Sequence, residues 1–195
     1  INVSWTASGN PDVEGKSIAE IASERNIQPE TAACDILIEE NLQGVMVHFG
    51  MDEDDVRDVL RHPAAMIGSD GSAISPEPPL NMGRPHPRFY GAFPRVLGHY
   101  ARDENLFPLE TAVHKMTGIP AGKMGLDAKG ILEPGRDADL VVFDPDRVID
   151  TATFEDPHQF PDGIVHVVVG GKFVVNNGTQ TPELSGRALR GPQAK

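Results

Sequence analysis

The sequence contains one cysteine, Cys34, in 195 residues. A single thiol excludes an intrachain disulfide, so folding here rests on packing alone. Cys34 lies in "AACDILIEE", among apolar helix-forming residues, and is expected as a buried inert thiol rather than a nucleophile. Basic residues are also scarce, 17 Lys and Arg against 29 Asp and Glu, for a formal net charge of −12. Nucleic acid and anionic membrane both require clustered cations, so neither is an expected partner. No apolar run reaches the ~20 residues of a membrane span. There is no H-x-H pair. The histidines at 48, 62, 86, 99, 114, 158 and 166 show no metal-ligand spacing, and none is assigned to a metal. The opening "INVSWTASG" has no initiator Met and no charged-then-apolar leader. A mature N-terminus and a piece of a longer protein both fit that opening.

What is present is a chain 39% hydrophobic, enough to pack one medium domain or two small ones. "INVSW" alternates as a strand does. "EGKSIAEIASERN" carries a capping box, Ser17 with Glu20, and places Ile18 and Ile21 on one face. Pro29 opens a second helix with Ala32, Ala33, Ile36 and Leu37 as its stripe. "GVMVHFG" reads as a buried strand. "MDEDDVRDVLRHP" reads as a helix capped near Asp52, with Val56, Val59 and Leu60 inward and acids at its start complementing the dipole. "AAMIG" reads as the next strand. Alternation of this kind predicts a parallel sheet with crossover helices.

A long Pro- and Gly-rich loop follows, "SAISPEPPLNMGRPHPRFYGAFP". Loops of this length are lids, binding loops or disordered segments. The crowding of Arg88, Phe89, Tyr90, Phe93 and Arg95 at its end argues against disorder. Helices are predicted over "RVLGHYARDE" and "PLETAVHKMTGIP", the latter with Leu109, Ala112, Val113 and Met116 as its stripe. After residue 125 the character becomes β-rich. Leu140 to Phe143 forms a short strand, "RDADLVVFD" supplying its turn. Gly170-Gly171 suits a tight hairpin within "IVHVVVGGKFVVNNGTQT". Three or four strands are too few to close a sandwich or barrel, and the first unit is equally short of strands. Both halves therefore read as incomplete, which favours a fragment.

The stretch "MIGSDG", Met66 to Gly71, sets Asp70 between small residues after an apolar run. An aspartate before glycine is commonly a turn residue. In a parallel α/β sheet, however, chemistry sits at the carboxyl ends of strands, where Asp70 is expected. The sequence "GSDGS" lacks the glycine spacing and lysine of a phosphate loop.

"MIGSDG", "HPRFYGAFPRVLGHYARDE", "LETAVHKMTGIPAGKMGL" and "KGILEPGRDADLVVFDPDRVIDTATF", in that order, resemble the C-terminal part of the N-acyl-D-amino-acid deacylases (D-aminoacylases) of the metal-dependent amidohydrolase superfamily. "EGKSIAEIASERNIQPETAACDIL" and "MDEDDVRDVLRHP" resemble the same family, so the likeness spans nearly the whole chain. It implies an α/β fold: part of a (β/α)8 barrel with its active-site loop over residues 1–125, and strands of a small β-sandwich over 126–195. The family's zinc ligands lie upstream of the matched region, and the context of Cys34 is not that of the family's metal cysteine. Zinc is thus the implied cofactor, with no ligand in this chain apart from contact by Asp70.

By the resemblance, Asp70 matches the family's catalytic aspartate. Zinc lowers the pKa of bound water to about 7, and a carboxylate beside it can take the remaining proton and pass it to the leaving amine. Arg88, in "HPR", matches an arginine that holds the substrate's α-carboxylate, a task suited to the guanidinium fork. The alternative is a loop arginine paired with a surface acid. Ser69 and Gly71, flanking Asp70, are the further substrate-binding candidates, and His86 is expected to brace the loop. The Asp70–Arg88 loop is longer than in well-known members, which puts the placement of Arg88 in question.

The implied activity is hydrolysis of N-acyl-D-amino acids by a cytoplasmic enzyme acting on a small molecule, without nucleic-acid or membrane partners. The isolated chain is expected to be inactive and to self-associate through open strand edges. The alternatives are a cyclic-amide hydrolase of the hydantoinase or dihydroorotase type, against which the "HPR..GAFPR" block argues, and a non-catalytic binding or scaffold domain.

Overall fold

A computed structural model describes residues 1–189. The chain divides into two compact units. Unit 1 comprises residues 1–52, 70–90 and 151–160; unit 2 comprises 53–69, 91–150 and 161 onward. The β-rich segment expected over 126–195 thus runs past the described residues at its end.

In unit 1, β1 (Asn2–Thr6) leads through a turn into α1 (Ile18–Arg25) and α2 (Pro29–Glu39), and the chain returns as β2 (Gly44–Val47). The predicted capping box is present: the Ser17 hydroxyl accepts from the Glu20 N–H, and the Glu20 carboxylate accepts from the Ser17 N–H. Val3, Val13, Ile21, Ala22, Ala32 and Ile36 form the core. β1 and β2 pair antiparallel, with Asn2 opposite Val47 and Thr6 opposite Gly44. The parallel pairing expected from the alternation is therefore not what joins them. After the two helices between the strands, the chain returns beside β1 in the opposite direction. The expected burial of β2 is also not met, since Val45 and Met46 are exposed. Cys34 is exposed too, contrary to expectation. With Ala32 and Ile36 inward, Cys34 lies about 200° around the helix from each.

In unit 2, α3 (Glu53–Arg61) packs the half-buried Val56 and Leu60 against a core of Val96, Leu97, Tyr100, Ala101, Phe107, Ala112 and Val148. Val59, also expected inward, is exposed. Tyr100 Oη donates to Glu53 Oε1 at 2.6 Å, and Arg57 grips Glu104 through Nε and Nη2, both at 2.8 Å. Residues 64–68, expected as a strand, form none. A strand exists only where another strand pairs with it, and Ile67 N–H instead donates to Lys115 O. Lys115 is buried in α5 (Leu109–Met116), and its ammonium donates to the carbonyls of His62 and Ala65.

The long loop ends earlier than its sequence suggests, because α4 covers Arg88–Arg95. Pro94 has no N–H to give its own helix, and the chain continues as a π-helical stretch, Val96–Asp103, closed by Glu104 N–H to His99 O. α5 and α6 (Gly118–Met124) follow, and Gly125 ends α6 in the left-handed region. The sheet is an antiparallel meander of β3 (Leu140–Phe143), β4 (Ile164–Val169), β5 (Lys172–Asn176) and β6 (Thr179–Gln180). β3 and the β4–β5 hairpin lie where the sequence placed them. Val169 faces Lys172 across Gly170 and Gly171, both at positive φ as a two-residue turn demands.

Candidate functional site

Unit 1 brings Asp70 and Arg88 together. Arg88 Nη2 lies 2.8 Å from Asp70 Oδ2, and the two side chains are 42% and 85% exposed. Asp70 has φ 48, a left-handed conformation that Asp and Asn tolerate better than other L-residues. Its carboxylate projects from a backbone kink, so the turn geometry expected for Asp-Gly and a chemically available acid coincide. Arg88 is paired with an acid, as one expectation had it, but that acid is the other site candidate.

The placement of Arg88 follows from the loop before it. Residue 84 is tied to β1 in both directions: Arg84 N–H donates to Ser4 O at 2.6 Å, and the Ser4 hydroxyl donates to Arg84 O at 2.8 Å. The Arg84 guanidinium donates to the carbonyl of Glu155. Gly83, at φ 66, packs so near β1 that a Cβ would meet Ser4 O and Trp5. His86 then sits edge-on to Phe154, itself edge-on to Phe49. His86 Nδ1 accepts the Arg88 backbone N–H at 3.0 Å. That bond caps the start of α4 and needs an unprotonated Nδ1. Burial first, and the Arg88 charge second, push the His86 pKa below its usual value. The expected bracing role of His86 is met by this bond.

A second set of contacts secures the same loop. Tyr90 Oη lies 2.9 Å from His158 Nδ1, and His158 Nε2 lies 3.0 Å from Gly83 O. A carbonyl only accepts, so Nε2 carries the proton and Nδ1 accepts from the tyrosine hydroxyl. Burial raises the Tyr90 pKa, which keeps that hydroxyl a donor. Phe160 closes on the other side of Tyr90, ring centroids 5.8 Å apart. Ser4, Arg84, Phe154 and His158 were not singled out from the sequence. Their only signal was Gly83 before "HPR", and a lone glycine does not reveal its partner.

Ser69 and Gly71 flank Asp70 in the chain, and the structure adds no geometry that assigns them to a ligand. Two cavities, of about 390 and 560 Å³, lie in unit 2 and include neither Asp70 nor Arg88. They are lined around Leu109 and Ile131, and around Lys129 and Arg187. Among the described residues no group of three or more His, Cys, Asp or Glu side chains could hold a metal ion. The described residues by themselves do not make a zinc site. Nor is any helix among them long and apolar enough to cross a membrane.

The match to the amidohydrolase family model covers residues 6–175, and the chain belongs to that family. Its fold is accordingly an α/β amidohydrolase fold. It is 46% identical over 179 residues to a D-aminoacylase of Alcaligenes xylosoxydans xylosoxydans, a match covering 92% of this chain and 34% of that protein. A solved D-aminoacylase with a binuclear metal centre superposes with a TM-score of 0.83 at 43% identity, over 95% of this chain and 36% of the other. N-acyl-D-glutamate deacylase from Bordetella bronchiseptica, solved with zinc and a phosphonate mimic of the tetrahedral intermediate, gives 0.78 at 38% identity, over 95% and 37%. The chain thus spans about a third of the length of the relatives it matches.

Proposed function

We propose that this chain is the C-terminal portion of a zinc-dependent N-acyl-D-amino-acid deacylase. In this reading residues 1–125 belong to a (β/α)8 barrel and 126–195 to a small β-sandwich. The rest of both, and the zinc ligands, lie in parts of the protein outside this chain. The likeness to D-aminoacylase at 46% identity supports the reaction class. The exposure of Val45 and Met46 on β2 supports an incomplete barrel, because strand side chains of that size are ordinarily packed. The D-configuration rests on the relatives, and a cytoplasmic location is part of the same proposal.

The observation that carries the site reading is the 2.8 Å approach of Arg88 to Asp70. In an N-acyl amino acid the carboxylate carbon and the scissile amide carbon are three bonds apart, roughly 3–4 Å. A substrate whose carboxylate rests on the Arg88 guanidinium therefore presents its amide within reach of Asp70. Water attacks the amide carbon, forming a C–O bond while Asp70 takes the water proton. As the C–N bond breaks, Asp70 delivers that proton to the leaving nitrogen, giving a carboxylate and a free amine. Arg88 fixes which face of the α-carbon is presented.

In the full-length protein, Asp70→Asn should lower kcat by about 10²–10⁴, the usual worth of general acid–base catalysis. Asn suits the test because it tolerates the left-handed backbone that Asp70 adopts. Near-normal kcat in that variant would return Asp70 to a turn role.

A further inference from the structure

We propose that Arg88 and Asp70 form an exchange latch, in which the substrate's carboxylate displaces Asp70 from Arg88 and so releases the proton acceptor that its own hydrolysis requires. The inference rests on the site reading above and extends it from two separate roles to a coupled one.

Three observations carry it. First, the groups assigned to the substrate carboxylate and to the proton transfer are already bonded to each other, 2.8 Å apart. Second, the guanidinium trades one carboxylate partner for another, so Arg88 stays paired throughout the exchange. Third, the two partners differ in freedom. Arg88 is held at its backbone by the His86 bond and at its start in α4, whereas Asp70 is 85% exposed on a kinked backbone. Asp70, the more exposed partner, is the one the exchange frees. While bonded to Arg88, one carboxylate oxygen of Asp70 is occupied by the guanidinium rather than open to a water. An amide without a carboxylate cannot open the latch, so the arrangement also selects for N-acyl amino acids over simple amides.

An exposed ion pair is worth up to about 1 kcal/mol, a factor of about five, so the latch should modulate rates and affinities by roughly two- to fivefold. The test uses the full-length protein with N-acetyl-D-alanine and its carboxylate-free counterpart, N-ethylacetamide. Arg88→Ala should hydrolyse N-acetyl-D-alanine more slowly than wild type, yet N-ethylacetamide about two- to fivefold faster. Saturating propanoate should speed wild-type turnover of N-ethylacetamide by the same factor and leave Arg88→Ala unaffected. A readout independent of turnover is propanoate binding by calorimetry. Asp70→Asn should bind propanoate two- to fivefold more tightly than wild type, an advantage absent in the double variant with Arg88→Ala. Equal N-ethylacetamide rates in wild type and Arg88→Ala, with no propanoate activation and no gain in propanoate affinity for Asp70→Asn, would overturn the latch. Wild-type turnover of N-acetyl-D-alanine by Asp70→Asn would instead overturn the catalytic role of Asp70, leaving the binding result to judge the exchange by itself.

Discussion

Replacing Lys115 with methionine isolates the hydrogen bonds that hold residues 62–67 in unit 2. Lys115 is 2% exposed, and its ammonium donates to the carbonyls of His62 and Ala65 while its own carbonyl accepts from Ile67. Methionine keeps most of the stem's apolar volume, so the change is chiefly electrostatic. Two carbonyls lose their donor, at about 1–3 kcal/mol each. Against this, a buried ammonium no longer has to be desolvated, a relief of several kcal/mol in the unpaired limit. The carbonyl bonds recover most of that penalty in the native protein, so the stranded acceptors decide the sign. The net loss is about 1–3 kcal/mol, felt locally rather than through the whole fold. Amide hydrogen exchange at Ile67 should therefore quicken roughly 5- to 150-fold in Lys115→Met, with the β4–β5 hairpin unchanged. Unchanged or slower exchange at Ile67 would show that the ammonium's desolvation outweighs its bonds.

His86 should titrate below its ordinary 6.5 by imidazole NMR. Because the folded value is the lower one, the unfolded chain takes up the proton first. Stability should be full above 6.5, fall as pH drops through the folded value, and then level off; an elevated His86 pKa would contradict the bond to Arg88 N–H. Glu104 is held below 4.5 chiefly by the Arg57 hydrogen bonds, so its share of stability is present above 4.5 and lost as pH falls further. Gly83→Ala forces a left-handed Ala against β1 and should weaken the Arg84–Ser4 pairing by about 1–2 kcal/mol for the backbone alone, read as faster exchange at the Arg84 amide. Cys34 should react with an uncharged maleimide in the native protein at close to the rate of a free thiol; slow labelling that needs denaturant would restore the buried reading.

Local patterns in the sequence translated well. The Ser17–Glu20 box, Pro29 at a helix start, the acidic opening of α3 and the Gly170-Gly171 turn are each set by neighbours a few residues apart, and each formed. Features set by distant partners did not. Nothing within "AAMIG" decides whether another strand lies beside it, and nothing in β1 or β2 alone decides their relative direction. Val59 and Cys34 face away from the packed sides of their helices, where apolar character and burial part company. At the site, Asp70 and Arg88 could be singled out by resemblance, but their bond to each other could not. The 17 residues between them carry no periodicity from which a distance could be drawn. The loop's attachment to β1 through Ser4 is of the same kind, a contact across 80 positions.

The two sheets should form on different clocks. β4 and β5 are joined through Gly170-Gly171, and β5 and β6 through Asn177-Gly178, whose residues share the positive φ of tight turns. Such hairpins close within about 1–10 μs, since little chain must be gathered first. The outermost pair of the other sheet joins Asn2 to Val47 and must wait for α1 and α2 to settle between them. Sequence-distant pairings are the slower ones to nucleate. The β4–β6 meander is thus placed to be structured while the strand pair nearest the candidate site's loop is still searching, so Arg88 would be among the last residues to find its position.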